Sequence, residues 1–212
     1  MAYKVGMYLG ERESGPPPRT LEKITPDAWR GIVGEIRRRT QDGFLAEAFP
    51  MRDCPDGRHF ITGCDLTLFH DRLKGDHPSI EVPLNSEATP ETVPVLELVE
   101  WVFQYLSKPI NPFLHDHFSH WHYRWFSKEQ GQAEFAAQIN TILARHQLAF
   151  ELQSCGEVKR LLPPVLREPL GSAEFRTEDA DLNRLLEAAR QKFSKPDFRT
   201  RYDALKDLWD AF

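Results

Sequence analysis

Four histidines stand close together at positions 115, 117, 120 and 122, half of the eight in the chain. Neutral imidazole is a ligand for zinc, copper or nickel, so metal chemistry is the first that this run suggests. Its spacing argues against a self-sufficient site. In a strand, His115 and His117 share one face and His120 and His122 the other; in a helix, His117 and His120 pair while His115 and His122 fall at opposite edges. His117 and His120 are thus the metal-ligand candidates, and Asp116 or a distant carboxylate has to complete the set. The same stretch carries Phe113, Phe118, Trp121, Tyr123, Trp125 and Phe126. Histidines so placed are expected mainly to pack and hydrogen-bond among aromatic rings, without a cofactor. The exposed members of His115, His117, His120 and His122, with Arg124, are the candidate ligand-binding surface, one on which a base can stack.

Other chemistries are weaker in the sequence. Ribonuclease chemistry uses an Arg and a His separated by four to six residues, and Arg52 with His59 and Arg72 with His77 match that spacing. Pro or Gly lies in or beside both spans, so neither pair projects from one helical turn. Cys54, Cys64, His59 and His70 lack any Cys-x-x-Cys knuckle. Ser119 has no nucleophile elbow around it, and there is no Gly-rich phosphate loop. Lys159 and Arg160, on a predicted strand, and Arg37, Arg38 and Arg39, at a predicted helix end, are the nucleic-acid candidates. The three arginines also serve a helix C-terminus directly, a macrodipole effect of about 0.3–1 kcal/mol that needs no ligand.

These residues need a scaffold, and the chain of 212 residues is long enough for one substantial domain with a helical appendage. Its 41% hydrophobic and 28% charged residues are ordinary for a globular protein, and a formal net charge of −5 argues against a surface devoted to phosphate backbones. Three cysteines, an odd and sparse set, fit reduced thiols rather than a disulfide framework. No apolar run is long enough to span a bilayer and the N-terminus has no signal-peptide pattern, so the expected compartment is the cytoplasm, with no membrane partner.

Residues 3 to 9 alternate as a strand would, and Gly10 to Pro18 reads as a loop. Thr25-Pro26-Asp27 starts a helix whose apolar face is Trp29, Ile32, Val33 and Ile36. Cys54 to Gly57 is a turn, His59 to Thr62 a short strand, and Asp65 to Leu73 a helix. Thr89-Pro90 starts the most apolar helix, with Val95, Leu98, Val99, Val102, Tyr105 and Leu106 on one side. Ser127-Lys128-Glu129-Gln130 is a capping box for a helix that breaks near His146, followed by a hairpin of Phe150 to Leu152 and Val158 to Leu161. This capped helix and hairpin resemble a winged element. After a breaker-rich stretch, Leu182 to Phe193 and Tyr202 to Phe212 form two more amphipathic helices. The last ends on an apolar residue without a stop signal, which predicts that the natural chain continues.

Several of these segments resemble a known family. Gln-Ile-Asn-Thr-Ile-Leu around Asn140, the Phe150 to Leu161 hairpin, the run Asp181 to Arg190 and the ending Ala204 to Phe212 are similar to the N-terminal region of AbiJ-like abortive-infection proteins. Phe49-Pro50 with Cys54-Pro55-Asp56-Gly57 fits as well. The likeness spans most of the chain, and Leu-Trp-Asp-Ala-Phe is its most specific part. In that family the region precedes a C-terminal HEPN domain, a helical module often acting as a ribonuclease through an Arg and His pair. The resemblance implies a sensing, regulatory or scaffolding part and assigns no catalytic residue here.

The expected fold is α+β and mainly helical, with amphipathic helices, a small β-hairpin after a capped helix, and a C-terminal helical pair. The expected divisions are a domain over 1–165, a linker over 166–175 and a helical pair over 176–212. The expected function is a non-enzymatic sensor or interaction domain of a phage-defence protein. Its partners would be its own HEPN domain, a phage-derived or nucleic-acid trigger, or another copy of itself. A nucleic-acid-binding module using the helix and hairpin, and a metal-binding hydrolase using His115 to His122 with zinc or another transition metal, are the rivals.

Overall fold

A computed structural model describes residues 9–15, 17–56, 60–161, 172–193, 195 and 198–210. The fold is α+β and mainly helical. In chain order the elements are α1 (Leu9–Ser14), α2 (Pro26–Gln41), β1 (Pro50–Met51), β2 (Gly63–Cys64), α3 (Leu66–Asp76), α4 (Thr92–Tyr105), β3 (Lys108–Ile110), β4 (Phe113–His115), β5 (His120–His122), β6 (Trp125–Ser127), α5 (Lys128–Arg145), β7 (Phe150–Leu152), β8 (Val158–Arg160), α6 (Ala180–Phe193) and α7 (Phe198–Asp210). The strands form two-stranded sheets, β1 with β2, β3 with β6, β4 with β5 and β7 with β8. The strand expected over residues 3–9 lies outside the described residues except for Leu9. Leu9 opens α1 where a loop was expected from Gly10 onward, because Glu11, Arg12 and Glu13 favour helix.

Two compact units divide the chain, residues 23–142 with 152–157, and residues 1–22 with 143–151 and 158–212. That division does not follow the expected boundaries. The segment 143–151 and strand β8 group with the C-terminal helices, and much of the expected linker, 166–171, lies outside the described residues.

In the first unit, α2 forms where the start signal predicts it. Thr25 Oγ1 accepts from the Ala28 amide at 3.2 Å, and Trp29, Ile32, Val33 and Ile36 are buried. Trp29 Nε1 donates to the Asn85 carbonyl at 2.8 Å, so its polar edge is satisfied inside the core. Helix α4 packs Val95, Leu98, Val99 and Val102 into the core. It begins at Thr92 rather than at Pro90, with Glu91 as its cap and no side-chain cap bond. The Thr92 hydroxyl instead accepts from the Ile24 amide at 3.0 Å, tying the helix start to the segment before α2. Phe49, Phe69, Trp101 and Tyr105 pack edge to face and tilted around the same core. Ser127 caps α5 by accepting from the Gln130 amide at 3.3 Å. Asn140 then clamps Leu152 with two bonds, Nδ2 to its carbonyl at 2.8 Å and its amide to Oδ1 at 2.7 Å.

Cys64 is 9% exposed at the end of β2. Burial, followed by the charge of Asp65, pushes its thiol up to about 12. We expect Cys64 to resist iodoacetamide at pH 8 while exposed Cys155 is modified, because the thiolate is the nucleophile. Mass-spectrometric mapping that finds the two equally alkylated in folded protein would contradict this.

In the second unit, Leu21 and Leu148 form a parallel bridge, and Arg19 donates to the carbonyls of Leu148, at 2.9 Å, and Phe150. Glu22 accepts from both Arg160 and Arg201. The C-terminal helical pair is present. Asp179 Oδ1 accepts from the amides of Asp181 and Leu182 at the start of α6, and Lys192 pairs with Asp207 of α7. Small side chains sit deepest, Ala189 and Ala204, whereas Leu185, Tyr202, Leu205 and Trp209 of the expected apolar stripes are exposed. Phe212 lies outside the described residues. Among the described residues no helix is long and apolar enough to cross a membrane.

Candidate functional site

The histidine stretch is neither one continuous strand nor one helix. Residues Asp116–Phe118 make one turn of 3-10 helix, and Ser119 follows in the left-handed region at φ 51°. The Ser119 amide donates to the Asp116 carbonyl at 3.3 Å. This tight reversal makes β4 and β5 an antiparallel hairpin in which Phe113 opposes His122, Leu114 opposes Trp121 and His115 opposes His120. Since side chains alternate along each strand and directly opposed residues share a face, Phe113, His115, His120 and His122 gather on one face. Leu114 and Trp121 take the other.

The hairpin is held at its base. The Tyr123 amide donates to the Ile61 carbonyl at 2.8 Å, and the Tyr123 ring lies so close over Gly43 that a Cβ there would meet it at 2.8 Å. Burial, then the neighbouring charge of Asp42, raises the Tyr123 phenol above its usual value. His122 is 1% exposed, stacked on Phe60 at 4.9 Å between centroids and edge-on to Phe113 at 4.8 Å.

On the histidine face the rings converge. The centroid separations are 5.3 Å for His115 and His120, 4.9 Å for His115 and His122, and 4.8 Å for His120 and His122. Nε2 of His120 and Nε2 of His122 approach to 2.8 Å. Cys54, buried in the loop after β1, brings Sγ to 3.6 Å from His115 Nδ1. One donor atom from each of Cys54, His115, His120 and His122 lies within 4.8 Å of the others. Asp56 flanks the group: its Oδ1 accepts from Cys54 Sγ at 2.7 Å, and its Oδ2 is 3.8 Å from His115 Nδ1. Three imidazoles and a thiol form a donor set for a borderline-soft, tetrahedral cation.

This placement corrects the expected ligand pair. His120 belongs to the group, but His117 sits exposed on the 3-10 turn with its ring 4.6 Å from that of Phe118, and Asp116 is exposed beside it. The turn takes His117 out of strand periodicity and so places its neighbours, not His117, on the common face. Arg124 is exposed, its guanidinium 5.1 Å from the Trp125 ring centre. The residue missed by spacing is Cys54, which lies far away in sequence. Of the other residues considered with it, Cys64 and His70 are not in the group, and His59 lies outside the described residues.

The cations proposed for phosphate are mostly committed elsewhere. Arg39 is 2% exposed and pairs with Glu35 at 2.7 Å and Glu134 at 3.0 Å, so it does not form a surface patch with Arg37 and Arg38. Arg37 donates to the Leu84 carbonyl at 2.7 Å, and Arg38 pairs with Glu35 and Asp42. In the other unit Arg160 is bound to Glu22, while Lys159 is exposed. Arg72, of the Arg and His spacing, pairs with Asp76 at 2.9 Å, and His77 closes α3. Comparison of this chain with protein-family models, with curated proteins and with solved structures found no match.

Proposed function

We propose that this chain is a non-enzymatic sensor or interaction domain of a bacterial abortive-infection protein, and that it meets its trigger through the outer face of the β4–β5 hairpin. The observation that carries the reading is the sidedness of that hairpin. His115, His120 and His122 share one face, while Leu114 and Trp121, opposed across the strands, stand 46% and 47% exposed on the other. Large apolar side chains held out on a short, anchored hairpin are typical of surfaces that a partner covers, and tryptophan dominates the energetics of such contacts. Trp125, 61% exposed and next to Arg124, adds a second aromatic group of the kind interfaces favour.

A protein trigger is favoured over nucleic acid. Phosphate recognition needs several uncommitted cations, and of the five expected to meet it Arg39, Arg37, Arg38 and Arg160 are each engaged with a carboxylate or a carbonyl, which leaves Lys159 as the exposed one. The likeness of the segments around Asn140, of Asp181 to Arg190 and of Ala204 to Phe212 to AbiJ-like proteins supports the defence setting, the cytoplasm as compartment and an accompanying effector. In cells carrying the whole defence protein, Leu114→Ser with Trp121→Ser is expected to abolish protection against phage, with the chain still folded by circular dichroism. Protection at the wild-type level with both residues replaced would overturn the reading.

A further inference from the structure

We infer that Cys54, His115, His120 and His122 bind one zinc ion in a closed tetrahedral site that pins the β4–β5 hairpin to the loop after β1. The inference goes beyond the sensor reading and does not depend on it. It rests first on distances. Bonds of about 2.0–2.1 Å to nitrogen and about 2.3 Å to sulfur put neighbouring ligand atoms of a tetrahedral zinc roughly 3.3–3.7 Å apart. Cys54 Sγ and His115 Nδ1 are 3.6 Å apart, and the two Nε2 atoms of His120 and His122 are 2.8 Å apart. All donors lie within 4.8 Å of one another. To reach a common centre the His120 and His122 nitrogens must open from 2.8 Å and the farthest donors close from within 4.8 Å.

The second support is the number and type of groups crowded together. Nε2 of His120 and Nε2 of His122 face each other at 2.8 Å, and a third imidazole and a thiol converge on the same point. A single dication can take one lone pair from each of the four groups at once. Binding replaces the thiol proton, which leaves to solvent, with a sulfur–zinc bond, and the three imidazoles bind as neutral bases. One thiolate and three neutral rings leave the bound dication with a single positive charge, and the Asp56 carboxylate lies 3.8 Å from His115 to offset it.

The third support is closure. Four protein ligands fill a tetrahedron, and Cys54 and His122 are buried with His115 and His120 half-buried. A catalytic zinc keeps a position for water, whereas a site filled by protein ligands is structural. The geometry therefore assigns the ion to holding the hairpin, and not to hydrolysis. Thiolate with imidazole in this geometry selects zinc over magnesium, calcium or manganese, which prefer oxygen.

The test is elemental analysis of the chain purified without chelator and without added metal. We expect one zinc per chain, retained through gel filtration. His117→Ala should keep it, whereas Cys54→Ser, His120→Ala and His122→Ala should each reduce it to background. Because a ligand variant that loses its metal can also lose its fold, the wild-type protein exchanged into cobalt(II) is the second measurement. The expected spectrum has intense visible bands of tetrahedral coordination and a thiolate-to-cobalt charge-transfer band in the near ultraviolet. Folded wild-type protein with only background metal, or cobalt protein lacking the thiolate band, would overturn the inference, as would equal metal loss in His117→Ala and His120→Ala. The sensor reading fails separately, since Leu114→Ser with Trp121→Ser leaves every ligand in place.

Discussion

Replacing Arg39 by Met is expected to cost about 3–5 kcal/mol of unfolding free energy, the range for breaking a buried ion pair by removing one partner. The guanidinium side chain is only 3% exposed and bonds to Glu35, itself 8% exposed, at 2.7 Å and to Glu134 at 3.0 Å. It also lies 4.4 Å over the Phe44 ring. Met fills much of the volume, so the penalty comes from the Glu35 carboxylate left in a low-dielectric site. Arg38 still donates twice to Glu35 from the surface side, so the cost falls at the low end of that range. The matched control is Arg39→Met with Glu35→Met, which removes both charges and is expected to recover most of the loss. Urea midpoints at constant slope measure both effects; a single variant within about 1 kcal/mol of wild type contradicts the assignment.

The same network has a pH signature. Burial alone would push the Glu134 carboxyl up, but hydrogen bonds from Lys108 and Arg39 outweigh it and hold the group below its ordinary 4.5. A carboxyl with a depressed folded-state value contributes stability that is present above its unfolded value and is lost as pH falls through the folded one. The Arg39 variants should therefore show a weaker acid dependence below about pH 4.5 than wild type.

The second large effect is expected at Gly131. Helix propensity alone predicts that Gly131→Ala stabilises α5 by about 1 kcal/mol. Contact geometry predicts the opposite. A Cβ at Gly131 would lie 3.0 Å from Ser107 backbone atoms and 2.7 Å from the Lys108 amide nitrogen, the latter a distance that real Cβ atoms essentially never show. Backbone atoms cannot swing away as a side chain can, so the first turn of α5 must move off Ser107 and Lys108. Overpacking of this kind costs about 1–3 kcal/mol and occasionally more, enough to reverse the propensity gain and leave a net loss. It also strains the Lys108 pairing with Ser127 at the foot of β3 and β6. A thermal midpoint raised by Gly131→Ala would show that the helix is not seated on Ser107 and Lys108.

Much of the helical scaffold was legible because its signals are local. Thr25-Pro26-Asp27 started α2 by capping chemistry, and the 3.6-residue period of Trp29, Ile32, Val33 and Ile36 marked its buried face. The Ser127 cap and the Phe150 to Leu152 strand followed the same logic. Where local signals failed, a distant partner had taken the group. Helix α4 began at Thr92 rather than at Pro90, with Glu91 as its cap, and the Thr92 hydroxyl accepts from the Ile24 amide. The Arg37 to Arg39 run looked like one basic cluster, but the helical turn of about 100° per residue sends Arg39 inward and Arg37 and Arg38 outward.

The amino-acid sequence by itself determined that this stretch is rich in histidine and aromatic side chains, and that helices of stated faces surround it. It could not determine which histidines meet. Strand and helix periods each gave a definite pairing, and the chain adopts neither through 116–119, where one 3-10 turn and a left-handed serine reset the alternation. That four-residue reversal alone places His115 opposite His120 and removes His117. Only tertiary structure could bring in Cys54, because a ligand set closed between two distant loops leaves no period or spacing to read. The histidines are written in the chain; the tetrahedron they form with Cys54 is a property of how the hairpin folds back onto the loop after β1.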